Sequence, residues 1–305
     1  MTLIAILLVL AIERFVGAVD HLRHFGWFRT YSRWCENRLS TRSLWQGPFG
    51  VIVILLPPLL LLAVIIQALH SVTPVLDFLL ACAVLLYCLG PADLGHQVSR
   101  YTEALEAGDR NAAAEAHAAF INHHWHPYGP LGGTLASLLE QANVRLFAVL
   151  FWFAVLGPVG ALLYRLTAEL YRHYHEVHGG FANSIRDLYN LLNWPTTRLS
   201  ALGFALAGNL VDAIEGWRRA EARSLAVNED VLIESGLNAL QFPQVYDTDA
   251  DDTGSENVAA GSTTAGEPHS EDIISWIEMA RGLENRTLIV WLSVLAVMTI
   301  AGVVS

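Results

Sequence analysis

Residues 146–166 read LFAVLFWFAVLGPVGALLYRL, with Gly157-Pro158 at the centre. A helix rises about 1.5 Å per residue, so roughly 20 apolar residues cross the ~30 Å hydrocarbon core of a bilayer. Proline is tolerated inside such a helix where a kink or a neighbouring helix satisfies the freed carbonyl groups. The stretch is therefore expected to be a membrane-embedded helix with a central break.

Three more blocks share this character. Residues 49–69, FGVIVILLPPLLLLAVIIQAL, carry Pro57-Pro58; residues 75–89 are shorter and nearly pure apolar; residues 288–304 close the chain. These four are the expected transmembrane helices. Two weaker blocks, 3–17 and 199–214, the second interrupted by Asn209 and Asp212, are expected as interfacial or re-entrant membrane-embedded helices. Residues 1–12 have neither a charged leader nor a small-residue cleavage site, so they read as retained helix rather than as a signal peptide. The fold class is all-α, a polytopic membrane protein with a bilayer as its first partner.

The polar segments between these blocks divide the chain. Residues 1–48 form an N-terminal helix and an Arg-rich segment, and 49–91 a transmembrane hairpin. Residues 92–145 read as helix, polar turn at Gly108-Asp109-Arg110-Asn111, and helix. Residues 146–214 make a membrane core with a His- and Tyr-dense loop at 165–198. After a helical segment at 215–242 comes an acidic linker, 243–272, without periodicity, and then the last helix in 273–305.

Of the 305 residues 53% are hydrophobic and 15% charged, well below a soluble domain. The net charge of -11 is local, concentrated around Asp247 to Asp252. Nucleic acid is excluded as a partner on these grounds. All 18 basic residues are arginine, which removes lysine-based chemistry. Cys35, Cys82 and Cys88 form no CxxC, so neither a disulfide framework nor a thiolate zinc site is expected. Arg23, Arg29, Arg33, Arg38 and Arg42 place 20–43 in the cytoplasm by the positive-inside rule, and an inner-membrane, multi-pass orientation follows from it.

Two histidine clusters are candidates for metal sites. His123, His124 and His126 precede Pro127, which ends a helix before a third ligand is reached. His173, His175 and His178 sit among tyrosines, where an aromatic interfacial belt is the competing reading. Exposed histidines account for both, and no metal site is expected. Arg186 and Arg198 could hold an anion, with Trp194 as a stacking partner, or Pro195 could simply open the next helix at its first turn. There is no P-loop, GxGxxG, HExxH or GxSxG motif. Gly203 and Gly208 supply small residues for close helix packing.

Several segments resemble a known family. Leu7-Leu8-Val9-Leu10 with Glu13-Arg14, Val144-Arg145-Leu146-Phe147, Phe151-Trp152, residues 157–164 (GPVGALLY) and Asn193-Trp194-Pro195 with Arg198-Leu199 are similar to AmpE proteins. These are inner-membrane proteins associated with β-lactamase induction. That resemblance implies a regulatory or sensory role in cell-wall stress, with a homodimer or a cell-wall fragment as partner. AmpE is in turn similar to the CbiB/CobD synthases, which join an aminoalkyl phosphate to a corrinoid carboxylate using ATP. Here residues 160–165 (GALLYR), Asp187-Leu188, Asn190, Pro195 and Arg198-Leu199 carry the likeness, with Glu140 and Asn143 as weaker matches.

The second likeness implies a nucleotide ligand and ATP with Mg²⁺ as cofactor. Its ligand-binding candidates are Glu140, Asn143, Arg145, Arg186, Asp187, Asn190, Asn193, Trp194 and Arg198. Where the synthases carry Asn-Thr-Leu-Asp, this chain has Ala168-Glu169-Leu170-Tyr171, and where they carry paired Asp it has Arg186-Asp187. These replacements tilt the expectation toward an AmpE-type regulator, with a diverged ATP-dependent amide ligase second. A transporter of cell-wall fragments comes third, because the spans lack charge at their centres.

Overall fold

A computed structural model describes residues 2–16, 25–39, 47–70, 73–89, 93–120, 129–223, 228–243 and 270–301. They form only helices. In chain order these are α1 (Thr2–Val16), α2 (Gly26–Leu39), α3 (Pro48–His70), α4 (Pro74–Cys88), α5 (Asp93–Glu106), α6 (Arg110–Phe120), α7 (Gly129–Ala142), a π-helical turn (Asn143–Phe147), α8 (Ala148–Tyr174), α9 (Gly180–Ala207), α10 (Leu210–Arg223), α11 (Asn228–Ala239) and α12 (Ser270–Ile300). Histidines 123, 124 and 126 and the linker from 244 to 269 lie outside the described residues.

Local signals explain several boundaries. Asp109 accepts the N–H groups of Asn111 and Ala112 at 3.1 and 3.0 Å and so caps α6. Gly108, at φ 69°, closes the turn before it. The turn joins α5 to α6 as a helix-turn-helix over residues 93–120. His117 of α6 stacks on Tyr101 of α5 and pairs with Thr134 of α7 at 2.7 Å.

Three stretches are long and apolar enough to cross a membrane: Pro48–His70, Leu131–Tyr174 and Ser270–Ile300. Helices α1 and α4, at 15 residues each, are shorter than a full crossing requires. The expected all-α, polytopic architecture is present, with three stretches long enough to cross and residues 75–89 within the shorter apolar helix α4.

The stretch 131–174 is no straight rod. Gly157 has φ 66° and ψ −155°, a conformation open almost only to glycine. The amide of Asn143, before the bend, donates to Asn193 Oδ1 at 3.1 Å. The hydroxyl of Tyr164, after the bend, donates to the same oxygen at 3.2 Å. In a straight helix these residues would lie about 30 Å apart. One acceptor can serve both only because the chain folds back at Gly157-Pro158. Gly160 marks the tightness of that bend. A Cβ there would press into the Trp152 carbonyl oxygen and come within 2.5 Å of Leu156 Cβ. We expect Gly157→Ala to lower stability by about 1–3 kcal/mol through backbone strain, although open space surrounds the position. Chemical denaturation in detergent measures it.

The 165–198 segment is helical, not a loop. α8 runs to Tyr174 and α9 begins at Gly180, leaving a short connection. The polar and aromatic groups that suggest irregular structure are satisfied internally. Tyr171 stacks on Tyr189 at 4.1 Å and 6°. Tyr174 donates to Glu36 at 2.8 Å. Glu169 is bridged by Arg29 and Arg172. Pro195 lies inside α9 rather than at its start. The block 199–214 is the end of α9, a break at Gly208, and the start of α10, so it is not one helix. Gly203 admits Thr287 of α12, and Gly208 admits the Ala239 backbone of α11; a Cβ added at either glycine would lie only 2.6 Å from that neighbour.

Two main apolar cores result among the described residues. One joins α1 to α4 with α8 and α9. The other joins α5 to α7 with α11, α12 and the end of α9. The folded-back stretch and α9 run between them, and the polar side chains meet along that seam.

Candidate functional site

The seam is built around Asn193, on the face of α9 that also carries Tyr189, Thr196, Thr197 and Ser200. All of these are buried. Asn193 Oδ1 accepts from Asn143, Tyr164 and Thr196. Ser200 donates to Asn143 Oδ1 at 2.8 Å. Asn143 can face α9 because it opens the π-helical turn, and such turns recur at functional sites. Tyr164 is itself hydrogen-bonded to Tyr189. Trp152 donates its indole N–H to the Leu192 carbonyl at 3.1 Å, beside the turn where Pro195 has no N–H to offer.

At one end of this network stand two carboxylates, Glu140 of α7 and Glu229 of α11, both half-buried. Their charges act on the stacked pair Tyr171 and Tyr189. They also act on each other. Burial first, then the Glu140 charge, and then Asp230 push Glu229 up to about 8 from the usual 4.5. Two like charges taken out of water cannot both ionise cheaply, so near neutrality the pair holds a proton.

The start of α11 is positioned from α9. Arg198 donates to Asn228 Oδ1 at 2.9 Å and lies over the Trp194 ring at 4.5 Å. Asn228 donates to the Asn190 carbonyl at 2.9 Å. Arg198 is thus a positioning residue for the segment bearing Glu229.

Most of the expected ligand residues share this region. Glu140, Asn143, Asn190, Asn193 and Arg198 come together, and Arg186 acts electrostatically on Tyr171. Yet Arg186 and Arg198 do not form an anion clamp. They are about 18 Å apart along α9, and Arg186 donates to the His175 carbonyl at 3.1 Å. Asp187 and Trp194 are exposed. Arg145 is half-buried in the π-helical turn. His173 and His175 are exposed; His173 packs edge-on to Tyr174 and His175 meets the Arg172 carbonyl.

Two carboxylates escape the sequence reading. Glu229, within Asn228-Glu229-Asp230, has the form of an ordinary acidic helix start. Glu169 lies with Arg165 and Arg172 at four- and three-residue intervals on one face of α8, a pattern that signals a buried ionic cluster.

Among the described residues no three or more His, Cys, Asp or Glu gather as a metal cage. Mg²⁺ needs none when substrate phosphates supply ligands, because one or two carboxylates then suffice. Glu140 and Glu229 fit that requirement.

The fold and seam define a helical membrane protein with a polar site between a folded-back stretch and the helices packed on it. Residues 6–241 match the family model described as CobD/Cbib protein, and the chain belongs to this family. Two relatives share the name "Cobalamin biosynthesis protein CobD". The one from Chromobacterium violaceum is 30% identical over 175 residues, 55% of this chain and 55% of its own length. The one from Stutzerimonas stutzeri is 30% identical over 191 residues, 60% of this chain and 61% of its own length. The chain thus spans little more than half the length of these relatives. No solved structure matches. The AmpE-type reading is overturned, because the family match covers most of the chain and the relatives are cobalamin-biosynthesis proteins. Motifs shared by both families could not separate them.

Proposed function

We propose that this protein is a multi-pass inner-membrane enzyme of cobalamin assembly, an amide ligase that uses Mg²⁺ and ATP to join an aminoalkyl phosphate to a corrinoid carboxylate. One observation carries the reading: two half-buried carboxylates, Glu140 and Glu229, stand close enough for the charge of one to act on the other beside the Asn143–Asn193–Tyr164 network. Family membership supplies the substrate class.

Glu140 and Glu229 would hold the cation. Held there, Mg²⁺ would supply the positive charge that phosphate groups need to approach the two acids. Arg198 and Asn228 keep Glu229 in place, and the Asn193 network fixes the separation of the elements that carry the two acids. Ser200 and Thr196 add their hydroxyls to that network. The bend at Gly157 lets the 131–174 stretch enter and return on one side, which brings Glu140 and Arg198 to the same face of the bilayer. The glutamates at 140 and 229 take over from the acids that the synthase motifs carry elsewhere.

Protein reconstituted in lipid, supplied with a corrinoid acid, an aminoalkyl phosphate and Mg²⁺-ATP, is expected to form the amide and consume nucleotide. Nucleotide-independent behaviour, with no amide formed, would contradict the reading.

The pair also predicts a pH dependence. Glu229 sits at about 8 in the folded chain and near 4.5 when unfolded, so the native state holds one more proton between those values. Stability without Mg²⁺ therefore falls as pH rises from about 5 to 8. Thermal unfolding across that range measures it, and Mg²⁺-nucleotide should offset the loss at the alkaline end.

A further inference from the structure

The returning limb of α8 turns one face, with Tyr164 and Tyr171, toward the site. An adjacent face looks onto a cavity of about 550 Å³, lined by Trp27, Tyr31, Pro58, Ile65, Tyr87 and Leu162 among others. Its walls are apolar except for the ring tips of α2 and α4, where the Trp27 indole N–H donates to the Tyr87 hydroxyl at 2.7 Å. Arg165 stands one turn beyond Leu162 and close enough to Tyr87 for its charge to act on that hydroxyl. The guanidinium lies over Phe25 at 5.1 Å, and Phe25 packs on Tyr87 at 4.8 Å.

Arg165 is only 7% exposed, and its Nε has no hydrogen-bond partner among the described residues. Buried cations are ordinarily paired. The carboxylate whose charge acts on it, Glu169, is already held by Arg29 and Arg172, both at 2.8 Å. Three guanidinium groups thus share one buried carboxylate, and the surplus positive charge lies behind Phe25 and Tyr87, at the side of the cavity where Tyr87 lines it.

We propose that this groove seats an anionic phospholipid of the surrounding bilayer, its acyl chain between α3 and α4 and its phosphate at Arg165. The complementarity is twofold: an apolar cavity between α3 and α4, and an under-neutralised cation one ring behind the Tyr87 that lines its polar end. This site is separate from the carboxylate pair and stands independently of the catalytic reading.

The test uses the full chain purified in detergent and transferred to nanodiscs of phosphatidylglycerol or phosphatidylcholine with matched acyl chains. Wild type is expected to melt at least about 3 °C higher in phosphatidylglycerol. Arg165→Gln should abolish the difference, and Arg165→Lys should retain part of it. Lipid co-purifying with wild type should be enriched in anionic species over the source membrane, a result that needs no variant to fold. Equal melting in both lipids, an undiminished difference in Arg165→Gln, or co-purified lipid that mirrors the membrane would overturn the proposal. So would inorganic phosphate reproducing the whole effect in zwitterionic discs, which would assign the charge to a soluble anion.

Discussion

Glu140→Gln and Glu229→Gln should each lower Mg²⁺-ATP-dependent ligation by about 10²- to 10³-fold, the scale expected when one preorganised charge contact in a water-poor site is removed. Each substitution keeps size and hydrogen-bonding capacity and deletes only the carboxylate charge. Helical content and elution in detergent should stay as in wild type. The two variants differ in a second readout. Glutamine at 140 removes the charge that helps push Glu229 up. The loss of stability between pH 5 and 8 should therefore shrink in Glu140→Gln, and shrink further in Glu229→Gln, which removes the whole of Glu229's share. Full activity in either variant at saturating Mg²⁺ would remove the carboxylate pair from the chemistry.

Asn193→Leu should cost about 2–6 kcal/mol of stability. It deprives the Asn143 amide and the Tyr164 hydroxyl of the acceptor they share, and each buried donor left without a partner costs about 1–3 kcal/mol. The effect goes beyond stability, because Asn193 ties both limbs of the folded-back stretch to α9. Loosening it should raise the Mg²⁺ concentration needed for half-maximal activity even where the fold survives. Urea unfolding in detergent micelles and a Mg²⁺ titration of ligation measure the two consequences. A variant as stable as wild type would show that the bend is held by packing alone.

Much of the architecture is legible in the sequence because apolar runs and turn residues act locally. The helix-turn-helix at 93–120 follows from Gly108 and Asp109, and Gly157-Pro158 announces a break. Whether that break kinks the helix or folds it back depends on Asn193, a partner far along the chain and outside any local pattern. The 165–198 segment misleads for a similar reason. Density in Arg, Glu, His and Tyr looks like a loop until Glu169 meets Arg29, and Tyr171 meets Tyr189. At the site, Glu140, Asn143, Asn193 and Arg198 are visible through family motifs. Glu229 is not, since an acid at a helix start has an ordinary explanation, and only its approach to Glu140 makes it unusual. The AmpE reading fails because its motifs, Asn193 and Arg198 among them, are shared with the CobD/CbiB proteins and do not separate the two.

The most direct test is calorimetric titration of the reconstituted protein with Mg²⁺ and a non-hydrolysable ATP analogue at pH 7, in buffers of different ionisation enthalpy. A carboxyl near 8 is mostly protonated at that pH and must lose its proton to ligate a cation. Binding should release about one proton in wild type and none in Glu229→Gln. Binding without proton release, or release unchanged in that variant, would contradict the assignment of Glu140 and Glu229 as the cation site.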